Sequence, residues 1–197
     1  MRSIMTFSFF LFGLATLGPA SGAETWRIDP GHSSATFSVR HLVVSTVRGA
    51  VPVREGSLTT DGSAVPVAVS AVLDATKIDT KNDNRDGDLR GSDWFDTAKY
   101  PTITFKSTKV TPGADASSFT VTGDLTIHGI TKSVTLAAKS FGTTSDARGH
   151  KRAGYEATAT IDRRDFGLNW AAKNPAGDLV AGNSVDLTLD VEAVGGN

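Results

Sequence analysis

The sequence predicts an all-β domain, an eight-stranded antiparallel barrel with one or two short helices, on three observations. Apolar residues recur at every second position through most of the chain after residue 23, turn residues separate those runs, and no segment sustains a 3.6-residue period. Strands with one apolar face must close or stack to bury it. A sandwich and an up-and-down barrel both do so. Several runs of about nine residues or more, with unusually small residues on the inner parity, favour the barrel.

A short strand around Trp26 to Asp29 comes first and stops at Pro30-Gly31. Ala35, Phe37 and Val39 then alternate with Thr36, Ser38 and Arg40. After Asp61-Gly62, Val65, Val67, Val69, Ala71 and Leu73 share one parity. Ile103 and Phe105 mark the next strand, which turns at Pro112-Gly113. Phe119, Val121, Leu125 and Ile127 lead into His128-Gly129, and Val134, Leu136 and Ala138 lead away from it. In that tight hairpin Gly129 is free to take the positive φ the turn needs. Ala153, Tyr155, Ala157, Ala159 and Ile161 form the seventh run, and Val185, Leu187, Leu189 and Val191 the eighth. Asn82 to Arg90 suits one short helix and Asp162 to Asp165 a turn. No repeat or Gly/Ser linker divides the chain, so residues 24–197 read as one domain.

The inward parity is light: Ala71, Ala138, Ala153, Ala157 and Ala159 all fall on it. An eight-stranded barrel is either just filled by its side chains or just able to hold one small ligand. Small residues either make room or follow the taper, and periodicity leaves both open.

Residues 1–23 read as a secretory signal: Arg2 is the positive residue, Ile4 to Leu17 is mostly apolar, and Ser21-Gly22-Ala23 supplies small residues before Glu24. The expected product starts at Glu24 and is soluble in the periplasm, because the apolar run is short for a bilayer span and no cysteine marks a lipid attachment site. No stable membrane anchor is therefore expected. With 20 basic and 21 acidic residues the chain has no electrostatic footprint for nucleic acid. The absence of cysteine excludes a disulfide framework, thiolate zinc and a thiol nucleophile.

Catalytic constellations are weak. His32, His41, His128 and His150 form no HxH or HxxxH pair, and no GxSxG elbow is present. His32 and Ser33 adjoin, but neighbours on a strand point to opposite faces. Asn82 to Asp93 partly matches a calcium loop, with Asn82, Asn84, Asp86 and Gly87 at positions one, three, five and six. Its Asp93 is short for the closing bidentate ligand, and Arg85 and Arg90 add positive charge, so a capped surface helix is the favoured reading. No metal site and no cofactor are expected.

Four ordered stretches carry a resemblance: IDPGHSSATFSVRHLVVSTVRG, IDTKNDNRDGDLRGSDWFDTAKYPTITFKS, GDLTIHGITKSVTL and IDRRDFGL. Together they resemble the YceI family of secreted proteins over nearly the whole chain from Trp26. That resemblance implies a lipocalin-like barrel whose elongated apolar cavity holds polyisoprenoid or another long-chain lipid, with no established catalysis. It makes Phe37, Val39, Val67, Val69, Ala71, Ile103, Phe105, Val121, Leu136, Tyr155, Ala157, Ala159 and Leu187 the expected cavity lining, and His41, Arg48 and Arg85 the expected head-group contacts. Asp88 stands where family members often carry His. The expected function is carriage or sequestration of a long apolar lipid rather than catalysis. The rivals are an enzyme acting on an isoprenoid or lipid, and a protein-interaction module. Homodimerisation is left open.

Overall fold

The computed structural model describes residues 22–195. All but the last two residues of the expected signal segment lie outside that range. Ten strands form one antiparallel sheet: β1 (Glu24–Ile28), β2 (Ser34–His41), β3 (Ser45–Ala50), β4 (Val53–Thr60), β5 (Ala68–Asp74), β6 (Thr102–Pro112), β7 (Ser118–Ile127), β8 (Ile130–Ser145), β9 (Lys151–Asp162) and β10 (Ala181–Gly195). One helix, α1 (Asp83–Arg90), and two single 3-10 turns, Ala75–Lys77 and Arg163–Phe166, complete the described elements.

Eight of the strands close a ring in the order β1-β4-β5-β6-β7-β8-β9-β10, sealed by the pairing of β1 with β10. Two further strands, β2 and β3, extend one edge of the ring: β10 pairs with β2 from Ala181 to Asp190 and with β1 only near its end, where Trp26, Arg27 and Ile28 oppose Gly195, Val194 and Ala193. The chain breaks at Pro30-Gly31 on one side and Pro52 on the other, so β1/β2 and β3/β4 are two interrupted arms of one long hairpin.

Neither β3 nor β4 is visible in the alternation of apolar residues. In β4 the buried positions are Leu58 and Thr60, and Gly56 lies on the same parity, so one face carries a single large apolar side chain. Thr60 belongs inside because its hydroxyl accepts the Trp26 indole N–H at 3.1 Å, pairing a buried donor that would otherwise be costly. In β7, by contrast, Phe119, Val121, Gly123, Leu125 and Ile127 are all buried and the residues between them are not, the period-two signature of a sheet with one wet face. Gly123 is glycine because a Cβ there would lie 2.5 Å from the Phe105 ring and 2.6 Å from the Lys106 carbonyl, beside the β6 bulge between Ser107 and Lys109.

Two apolar clusters hold the barrel. Trp26, Leu58, Phe119, Val121, Leu136, Ala153, Tyr155 and Ala193 plug one end. Val51, Ala75, Ile78, Ile103, Leu125, Ile127, Phe166 and Leu168 lie toward the other, beneath the helix and turns. The segment weighed as a calcium loop is α1: Asn82 caps it by accepting the Arg85 N–H at 3.0 Å, and the buried Asp86 accepts the Thr80 N–H and hydroxyl at 2.8 and 2.5 Å. Two oxygens that a cation would need are thus engaged inside the protein. Calcium titration by calorimetry is expected to show no site tighter than about 10⁻⁵ M.

The seam where β1 meets β10 is clasped by Arg152. Its Nη1 donates to Asp29 Oδ2 at 2.8 Å and Glu192 Oε1 at 2.9 Å, and its Nη2 to Asp146 Oδ2 at 2.9 Å. His32 and His150 each bring Nδ1 to 3.1 Å from Asp29 and Asp146 respectively. Asp29, His32 and Glu192 are spaced closely enough to hold a cation, and the guanidinium already serves both carboxylates. The hydrogen bonds from His32 and Arg152 lower the Asp29 pKa, and Arg152 foremost holds the Asp146 carboxyl far below the carboxylate range. A lowered folded pKa contributes stability that is complete above the unfolded value near 3.8 and is lost as pH falls through the folded value. Arg152→Gln should therefore melt below the parent by a constant margin above about pH 4, and the margin should shrink in stronger acid. Thermal melts across pH 2 to 7 check this.

Candidate functional site

The interior between the two apolar clusters is a cavity of about 470 Å³, within the size range of small-molecule sites. Strands supply its walls mainly through one parity each. β2 contributes Phe37 and Val39, β5 Val69, Ala71 and Leu73, and β6 Ile103 and Phe105. Val121 comes from β7, Leu136 and Ala138 from β8, Tyr155 and Ala157 from β9, and Leu187, Leu189 and Val191 from β10. The alanines at 71, 138 and 157 leave room where leucines would fill the tube. Burial raises the pKa of the Tyr155 phenol, so it faces the cavity neutral, with its ring edge-on to Phe119 at 6.2 Å. Gly49 lies opposite Phe37, where a Cβ would sit 2.5 Å from the ring; the phenyl therefore lies flat against the β3 backbone instead of blocking the cavity.

Polar groups gather at one end. His41 at the end of β2, Arg85 and Asp88 from α1, and Arg163 from the 3-10 turn after β9 all border the cavity, as do Trp94 and Trp170. The two indoles lie 5.2 Å apart, and the Arg163 guanidinium stands 5.3 Å above the Trp94 ring. Arg163 is only 3% exposed and forms no ion pair with a carboxylate among the described residues. Its Nε donates to the Gly182 carbonyl at 2.9 Å, Nη1 to the Leu168 carbonyl, and Nη2 to the Ala181 carbonyl at 3.2 Å and Asn183 Oδ1 at 3.0 Å. Desolvation lowers its pKa, and the oxygen partners keep the buried charge tolerable.

Eleven of the thirteen expected lining residues border this cavity: Phe37, Val39, Val69, Ala71, Ile103, Phe105, Val121, Leu136, Tyr155, Ala157 and Leu187. Two do not. Val67 is 50% exposed, because Pro66 interrupts the run and β5 begins only at Ala68; Pro66 lines the cavity instead. Ala159 shares the parity of Ala157 and Ile161, which border the cavity, but lies opposite Leu187 and does not reach the cavity. Of the expected head-group contacts, His41 and Arg85 border the cavity, though Arg85 also holds Thr80 through its side chain and carbonyl at 2.7 and 2.9 Å. Arg48 does not: it opposes Ser38 on the outer parity of β3 and lines a shallow external depression with Asp79, Lys81 and Asp186. Strand parity explains this, since Phe37 and Val39 face in and Ser38 faces out. The alternation in the sequence does not mark Trp94, Trp170 and Arg163 as site residues, because they lie outside the strands, where no period assigns a face. A Trp-Phe pair after a short helix and a lone Trp in a polar loop were the available signals.

Comparison with known proteins adds a family and a set of neighbours. Residues 26–193 match the YceI-like domain. Protein YceI of Escherichia coli O6:H1 is 38% identical over 194 residues, covering 96% of this chain and 95% of its own. Among solved structures, the Campylobacter jejuni YceI protein superposes with a TM-score of 0.66 at 26% identity, over 80% of this chain and 90% of that one. A polyisoprenoid binding domain from Saccharophagus degradans superposes with a TM-score of 0.62 at 16% identity, over 87% of this chain and 98% of that one, a likeness of fold.

Proposed function

The chain belongs to the YceI-like family, and from that premise we propose that it binds and carries a long-chain apolar lipid, of the polyisoprenoid class, in the barrel cavity. The observation that carries the reading is a continuous apolar cavity inside a closed barrel, with both of its indoles and most of its charged groups at one end. An elongated chain with a polar terminus matches that distribution. The Saccharophagus degradans neighbour, a polyisoprenoid binding domain, adds support through its shared fold. Energetics agree: burying about twenty carbons at ~0.8 kcal/mol each gives roughly 16 kcal/mol gross. Association and ordering cost about 4 to 15 kcal/mol. Greasy contact alone thus reaches useful affinity, and the polar end serves to orient the head.

Binding without turnover is the better reading because the groups at the polar end are engaged in holding the protein together. Arg163 and Arg85 donate to protein oxygens, and no carboxylate, histidine and hydroxyl come together there in the geometry of a nucleophile and its base among the described residues. Export to the periplasm fits the same picture: β1 begins at Glu24, so cleavage after Ala23 removes no strand residue. Protein purified from its natural source is expected to begin at Glu24 and to release a long apolar chain on solvent extraction. Mass spectrometry should find that chain unchanged after incubation with the protein. A processed product would instead support an enzyme, and an empty protein that takes up no lipid would remove the reading.

A further inference from the structure

The hairpin joining β2 to β3 is built against the usual chemistry of its turn. Val44 N–H donates to the His41 carbonyl at 3.2 Å, closing a turn centred on Leu42 and Val43 within the three-residue loop between His41 and Ser45; the two central φ angles are +48° and +56°. Positive φ at both central residues is the primed turn that hairpins favour, and Asn-Gly is its natural occupant because an L side chain crowds the backbone there. A β-branched valine is among the poorest choices. Leu42 is half-buried, but the valines gain no packing in return: Val43 is 65% exposed and Val44 82%. Strain and exposed apolar surface coincide at one tip, and strain retained at such a place points to function outside the fold.

The tip stands beside the polar end of the cavity. His41, which borders the cavity, is the residue before the turn and pairs with Ala181 of β10, while Leu42 N–H donates to the Val180 carbonyl at 3.1 Å. Val180 and Ala181 border the cavity too. Two exposed cations lie nearby: Arg40, which precedes His41 on β2, borders the cavity and donates to Thr46, and Lys173, on the segment that pairs with Leu179 next to Val180; neither has a carboxylate partner among the described residues. An apolar point with two cations beside it that lack carboxylate partners matches the interface of a bilayer that contains anionic lipid. A second copy fits poorly: three side chains fall far short of the ~1,200 Å² that a stable interface buries, and two such tips repel.

We propose that the Leu42-Val43-Val44 tip docks the protein on an anionic bilayer surface and presents the polar end of the cavity to it for lipid exchange; the exchange step rests on the lipid-carrying reading above. Flotation with vesicles of equal parts phosphatidylcholine and phosphatidylglycerol tests the docking without any polyisoprenoid present. The parent protein should float with these vesicles, less so as salt is raised. The double variant Leu42→Asn/Val43→Gly should stay behind with its bound fraction lowered about tenfold, as expected for withdrawing one or two such side chains from apolar surroundings. Its melting temperature should equal or exceed the parent's, because the turn is relieved of strain. Val44→Ser, at a position without positive φ, should weaken flotation in the same direction. Loading with a fluorescent polyprenol separates the two ideas: delivered from detergent micelles, it should fill parent and double variant equally, and delivered from vesicles it should fill the variant more slowly. A parent that does not float, a double variant that floats as well as the parent, or a parent dimer that the double variant dissolves would each overturn the docking. Failure of both proteins to load from micelles would remove the lipid reading, and flotation would still decide the docking.

Discussion

Replacing Ala157 by phenylalanine is expected to expel lipid from the barrel while leaving the melting temperature close to the parent's. Ala157 borders the cavity from β9, between Ala138 of β8 and Leu189 of β10, both of which also border it. A ring added to a close-packed core costs about 1 to 3 kcal/mol in strain. For a domain of this size that would lower the melting temperature by roughly 2 to 12 °C. Added to an empty tube, it finds contacts instead, and the apolar surface it covers offsets the rotamer freedom it loses. The joint outcome is what separates the possibilities: lipid lost with stability retained marks a tunnel, whereas a large drop in melting temperature would mean a solid core. Retained lipid would place the ligand elsewhere. Thr158→Phe serves as the control, because Thr158 is exposed on the opposite parity and its ring would stand in solvent. Ala159→Phe is the less informative partner, since Ala159, unlike Ala157, does not border the cavity.

Arg163→Leu is expected to be the most destabilising single change at the site, by about 3 kcal/mol or more. Two effects oppose each other. Removing the guanidinium recovers the several kcal/mol spent in desolvating it. Against this stand four charge-assisted hydrogen bonds at roughly 1.5 to 3 kcal/mol each, whose acceptors at Leu168, Ala181, Gly182 and Asn183 would be left without a donor. The hydrogen bonds win because the Leu168 acceptor stays buried and the other three half-buried while the charge is gone. The melting temperature should fall by roughly 6 to 12 °C. Arg163→Lys should recover little, since a compact ammonium cannot span acceptors held by a planar fork. Lipid affinity should fall as well, through Trp94: the indole loses the cation above it and with it one wall of the polar end. Equal melting temperatures for parent and Arg163→Leu would show that the knot between the β9 turn and the start of β10 contributes nothing.

Much of the fold was legible because a strand's face is a local property. In β7, Phe119, Val121, Leu125 and Ile127 announce their direction by spacing alone, and the His128-Gly129 turn fixes where the chain reverses. The lining from β6 to β10 follows from the same parity. The reading failed where that signal was absent or broken. β3 and β4 carry inner positions such as Gly56 and Thr60 that look polar or neutral in sequence and are explained only by what they meet, the Trp26 indole in the case of Thr60. Val67 kept the right parity in the sequence and lost it in space because Pro66 breaks the strand. The charge of Arg48 suggests a head-group contact, but the outward parity it shares with Ser38 turns it away from the cavity.

The sequence by itself determined eight of the ten strand segments, which face of most of them is apolar, the small side chains that keep the interior open and, through its ordered motifs, the family. Those are properties of neighbouring residues, and a period of two reports them without reference to any partner. Only the tertiary structure decided how the ring closes and what stands at its polar end. Closure depends on Trp26 to Ile28 meeting Ala193 to Gly195, segments from opposite ends of the chain, with Arg152 drawing Asp29, Asp146 and Glu192 together across the seam. The indoles of Trp94 and Trp170, the buried guanidinium of Arg163 and the strained tip at Leu42 and Val43 sit on turns and loops. Their positions are set by long-range packing, and no local periodicity encodes a contact between residues so far apart in the chain.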